Sequence, residues 1–153
     1  MQRIWILQNR RNVMDNKFYV SFEVARLLKE KGYNRECIAY YQNGEFHPYS
    51  VDLFKLSIND KNAAPFYMNQ YSAPTKAEVI DWLESNGIMI SVVYDNLGII
   101  GKKHYRSIID TLDKDGSESG LPIYLPSYDG DIRHYSTRLE AEEAAIIKAL
   151  ELL

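Results

Sequence analysis

The tightest constraint on this chain lies between Tyr71 and Asp95, in the stretch YSAPTKAEVIDWLESNGIMISVVYD. Thr75 and Glu78 form the T-x-x-E pattern of a capping box. The threonine hydroxyl accepts from the third helical amide, and the carboxylate reaches back to the amide of Thr75. Pro74 has no amide to satisfy, so the helix starts sharply. Val79, Ile80 and Leu83 share one stripe at helical spacing, with Trp82 at its edge. A wedge between helix and sheet is the better reading of Trp82 than a ligand platform, because large aromatic rings are usually packed. Asn86-Gly87 ends the helix, since glycine tolerates the left-handed conformation of a helix C-terminus. The run Ile88–Tyr94 is β-branched and almost wholly apolar, which predicts a central strand.

Around this helix-then-strand unit, 153 residues are enough for one domain with a core that needs no disulfide or metal. Residues 1–20 read as an N-terminal extension of that domain. The formal charge of −3 is spread over 18 basic and 21 acidic residues, so it implies no whole-protein attraction to nucleic acid or an anionic membrane. Cys37 is the single cysteine, which excludes an intramolecular disulfide and fits a reducing compartment. The start, MQRIWILQNRR, has too short an apolar run for a signal peptide or a span. No membrane association and a cytoplasmic location are the resulting expectations. Twelve tyrosines are the unusual entry in the composition. Tyrosine suits a half-buried sheet, because its ring packs while its hydroxyl stays wet, and the same property makes it frequent in binding surfaces.

Taken in order, Ile4–Leu7 reads as a short strand and is followed by a locally basic stretch containing Arg10 and Arg11. Ser21 is a good N-cap for a helix over 22–31, with Val24, Leu27 and Leu28 as its stripe and Gly32 at its close. A strand over 38–42 then meets Asn43-Gly44, a strong hairpin signal, and returns over 45–49, where Pro48 restricts it to an edge. Residues 51–70 read as an excursion at the edge of the core. Beyond the central strand, 95–98 reads as a turn. Residues 104–112 read as a strand paired with 88–94, and 113–120 as a polar loop. Residues 121–125 and 132–135 flank Asp129-Gly130, a second hairpin signal, with Pro122 and Pro126 marking an edge. The last helix runs from Arg138 to about Leu152, started by a second capping box at Thr137 and Glu140. Leu139, Ile146, Leu150 and Leu153 form its stripe, filled in by Ala145 and Ala149.

No stretch carries a specific chemical motif. With Gly116 at the sixth position, the loop at Asp113–Gly116 would place Thr111 first and Pro122 twelfth. It therefore lacks the first aspartate and the closing glutamate of a calcium loop. Cys37 has no helix N-terminus to lower its pKa, and a buried inert thiol is the reading its position favours over a nucleophile paired with His47, His104 or His134. The three histidines have no metal-ligand spacing, and no phosphate-binding glycine pattern occurs. The expectation is accordingly no cofactor, no metal and a function that is not catalytic; an enzyme would need residues brought together from separate elements, and the sequence leaves that alternative open. One basic run with an aromatic stands out, Lys102, Lys103, His104, Tyr105 and Arg106. Together with Arg10 and Arg11 it would make a positive face on a sheet whose tyrosines stack bases, or a surface for a partner.

Three blocks also resemble a known group. They are SFEVARLLKEKGY at 21–33, YSAPT at 71–75 with Trp82-Leu83, and the alanine-rich helix Glu140–Leu153. Together they are similar to a group of short proteins from phages, prophages and other mobile elements of gut bacteria. Members pair an S-x-x-x-A-x-x-L-x-x-K-G helix with a helix begun by Y-S-A-P-T and ended by W-L. The first twenty residues extend beyond the usual start. The last helix begins S-T-R-L-E where T-Y-E-E is usual. The resemblance implies a small intracellular accessory protein and brings no catalytic residue with it.

The combined expectation is an α+β fold, three helices packed on one face of a mostly antiparallel, tyrosine-rich sheet. Stripes 24/27/28, 79/80/83 and 139/146/150 should face strand residues around Ile90 and Val92. The expected function is interaction with a protein partner, self-association through a sheet edge or tyrosine patch included. Nucleic-acid binding through 102–106 is the alternative.

Overall fold

Asn43 and Gly44 turn the chain back on itself with φ of 52° and 82°. Positive φ at both central residues of a two-residue turn matches the right-handed twist of a hairpin, which is why Asn-Gly is selected there. The computed structural model to which this hairpin belongs describes residues 16–48, 69–94, 104–113, 115–117, 119–125 and 135–153. It is an α+β protein, as the patterning predicts. Its strands form two three-stranded antiparallel sheets, one in each of two compact units, Met1–Thr75 and Lys76–Leu153.

In the first unit the hairpin strands are β1 (Tyr40–Gln42) and β2 (Glu45–His47), and β3 (Gln70–Ser72) pairs with the other side of β1. Tyr41 sits opposite Phe46 on one side and Tyr71 on the other. Helix α1 (Phe22–Glu30) starts where Ser21 accepts from the amide of Val24 at 3.3 Å. It buries Val24, Ala25 and Leu28 and packs on β3. Between helix and sheet lies an aromatic cluster. Phe22 meets Tyr41 and Tyr71, each at 5.4 Å and edge-on, and Phe46 lies against both Tyr41 and Tyr19. The buried Tyr41 hydroxyl donates to the Val20 carbonyl at 2.8 Å, so its polar tip carries no desolvation penalty. Strand β3 is not visible in the sequence, because three residues are too few to show alternation.

In the second unit β4 (Ile88–Tyr94), β5 (Tyr105–Thr111) and β6 (Ile123–Leu125) pair in that order. The predicted pairing of 88–94 with 104–112 is present, with Ile88 opposite Thr111 and Tyr94 opposite Tyr105. The expectation of a central β4 is corrected: among the described residues β4 is at the edge and β5 is in the middle. An apolar run arises equally when one strand face packs on helices and the other is an apolar surface. The middle strand is disguised by Arg106, Ser107 and Asp110. Ser107 is fully buried because its hydroxyl donates to the Ala141 carbonyl at 2.7 Å.

Helices α2 (Lys76–Ser85) and α3 (Arg138–Leu152) both pack on this sheet. The Thr137 capping box forms with both reciprocal bonds, Glu140 amide to Thr137 hydroxyl at 3.2 Å and Thr137 amide to Glu140 carboxylate at 3.1 Å. The buried stripe of α3 is Ala141, Ala145, Ile146, Ala149 and Leu150, whereas Leu139 is half-buried and Leu153 exposed. Alanines thus occupy three of the five buried positions of the helix. On α2 the buried residues are Lys76, Val79, Trp82 and Leu83, and Ile80 is only half-buried. The buried face of the helix is thus turned toward Trp82, whose side chain is packed away from solvent. Burying side chains of this size contributes roughly 1.5–3 kcal/mol each. The strand expected at 4–7, most of 51–70, the turn at 95–98 and the Asp129-Gly130 hairpin lie outside the described residues.

Candidate interaction surface

Strand alternation sorts the second sheet into two faces. Ile88, Ile90 and Val92 of β4 share a face with Tyr105, Ser107 and Ile109 of β5, and this face meets the helices through Ser107 and Ala141. The opposite face carries Met89, Ser91 and Val93 of β4, Arg106, Ile108 and Asp110 of β5, and Tyr124 of β6, which lies opposite Ile108. Met89 is 39% exposed and Tyr124 43%. The Arg106 guanidinium stands 6.0 Å from the centroid of the Tyr124 ring, the outer limit of a cation–π contact.

This geometry divides the predicted basic run. Arg106 reaches the outward face, and His104, just before β5, has the parity of Arg106. Tyr105 belongs to the helix side, where its ring meets Tyr94 edge-on at 5.6 Å and its backbone exchanges two hydrogen bonds with Tyr135. Lys102, Lys103, Arg10 and Arg11 lie outside the described residues. On the described face Arg106 is balanced by Asp110, so charge does not single out a polyanion. Met89 and Tyr124 were not legible as surface residues in the chain order alone. Ser91, the one polar residue in IMISVVY, was the available signal, since its period-2 neighbours Met89 and Val93 must share its face.

Other polar groups serve structure. Lys29 donates to the Gln70 carbonyl at 2.8 Å with its ammonium 5.0 Å from the Tyr71 ring centroid, and burial pulls its pKa below the usual lysine value. The Cys37 thiol is buried 3.6 Å from the Arg35 carbonyl and 3.9 Å from the Tyr33 hydroxyl, as its sequence position predicts. In the loop around Gly116, which lacks the calcium-loop pattern, the Asp115 carboxylate accepts from the Ser117 hydroxyl at 2.6 Å and from the Ser117 amide at 2.9 Å. Those two bonds hold its pKa below the usual range. Among the described residues no group of three His, Cys, Asp or Glu side chains could hold a metal ion. Nor is any described helix long and apolar enough to cross a membrane.

No protein-family model, no curated protein and no solved structure matches the chain.

Proposed function

We propose that this chain is a non-catalytic interaction protein that binds a protein partner through the outward face of its second sheet. The observation that supports this is the placement of Met89, Arg106 and Tyr124 on one face of a hydrogen-bonded sheet. Methionine, arginine and tyrosine are enriched where protein interfaces concentrate their affinity, and a sheet presents them with little ordering cost. The resemblance of the 21–33, 71–75 and 140–153 blocks to mobile-element proteins adds an accessory role in such an element and an intracellular setting. The test is capture from the host proteome by the wild-type chain and by Tyr124→Ser/Met89→Ser, followed by binding of the purified captured protein. Affinity that drops about tenfold or more in the double variant supports the reading; equal affinity removes it.

A second reading, nucleic-acid binding, draws on the guanidinium set over the Tyr124 ring, since a base can stack on an exposed aromatic of that kind. Fluorescence anisotropy with labelled single strands across a salt series decides it. Salt-sensitive affinity lost in Arg106→Ala would favour this reading, and none at low salt would discard it.

A further inference from the structure

We propose that the partner of the second sheet's outer edge is a second copy of this chain, joined to it strand β4 to strand β4 about a two-fold axis at Ser91. This rests on the reading above in taking the second sheet as the binding element. The sheet edges of this protein are treated unequally. Among the described residues strands β2, β3 and β6 are edges of three residues each, and prolines stand close beside all of them: Pro48 after β2, Pro74 after β3, Pro122 and Pro126 around β6 in the sequence. Short length and proline are two of the devices by which an edge is kept from pairing with another chain. Strand β4 has neither. It runs for seven residues, IMISVVY, without proline, glycine or charge, and among the described residues no strand pairs with its outer side.

The register follows from alternation. In antiparallel pairing, residues directly opposite point to the same face, and a two-fold axis normal to the sheet leaves each face on its own side. Only self-pairings that keep parity survive, and the one that engages all seven residues places Ser91 opposite Ser91. Met89 then faces Val93 of the second copy on the outward side, and Ile90 faces Val92 on the helix side. Both are apolar pairs with no charge left opposed. The product is one continuous six-stranded sheet.

Light scattering on the eluting full chain should give twice the 17.8 kDa of one copy at micromolar concentration. Ser91 is exposed, so Ser91→Lys leaves the fold intact while setting two ammonium groups opposite each other. It should weaken the dimer several-fold with an unchanged melting curve. Ser91→Cys should be joined into a dimer by a short bis-maleimide, and Ala77→Cys, exposed on α2, should not. The wild type is its own control, because Cys37 is buried. A monomer at every concentration, or equal crosslinking of the two cysteine variants, overturns the inference. In either case the capture experiment on Tyr124 and Met89 still stands or falls by itself.

Discussion

The Ser107 hydroxyl donates a 2.7 Å hydrogen bond to the carbonyl of Ala141, tying the middle strand of the second sheet to the first turn of α3. Both residues are fully buried, so the bond forms out of water. Ser107→Ala should destabilise the chain by about 1 kcal/mol, the net worth of one such bond. Urea unfolding checks this. An unchanged midpoint would show that the hydroxyl contributes nothing to the seating of α3.

Lys76 and Glu143 stand 3.1 Å apart and join α2 to α3 with most of both side chains out of water. Removing one charge takes a largely buried ion-pair partner from the other, so Lys76→Met and Glu143→Leu should each cost roughly 1–3 kcal/mol, less than a fully dry pair because Glu143 keeps some solvent. The double variant should recover much of that loss. A thermodynamic cycle of the four proteins measures the coupling.

Two glycines in turns separate conformational strain from contact. Gly44 has φ of 82° and open space where a Cβ would stand, whereas at Gly87, φ 79°, that atom would sit 3.0 Å from the Leu112 carbonyl oxygen. Gly44→Ala should cost about 1 kcal/mol from strain alone. Gly87→Ala should cost about 2 kcal/mol or more, because backbone must also move. The ranking is read from denaturation midpoints.

Burial raises the Tyr135 hydroxyl pKa above its ordinary value of 10.0. In the folded state the phenol keeps its proton to higher pH than in the unfolded chain. Above about pH 10 the unfolded state therefore holds fewer protons, and stability falls as pH rises. Tyr135→Phe should flatten that alkaline decline. Lys29 runs the other way: desolvation lowers its pKa from 10.5, so its contribution improves as pH rises through the folded value toward 10.5. Thermal melts of wild type, Tyr135→Phe and Lys29→Met across alkaline pH separate the two slopes.

Chemistry that acts within a few residues was legible in the chain. Ser21, the Thr137–Glu140 box and the Asn43-Gly44 turn were each readable because their partners lie one to four positions away. The buried thiol of Cys37 and the pairing of 88–94 with 104–112 were likewise legible. Of the outward face, Arg106 was marked by its basic neighbours, but Tyr124 and Met89 were not. Their exposure depends on which strand each lies beside, and no local pattern encodes that.

The order of the strands was decided by tertiary structure. A seven-residue run broken only by Ser91 gives β4 the look of a middle strand, yet among the described residues it is β5, with a serine and two charges, that lies in the middle. Side-chain polarity reports what a residue needs, and Ser107 finds it in a carbonyl 34 positions further along the chain. Local sequence thus determined where helices begin and where the chain turns, since short-range hydrogen bonds and backbone angles set both. Long-range pairing alone decided which strand lies at the edge and which sheet face is turned away from the helices.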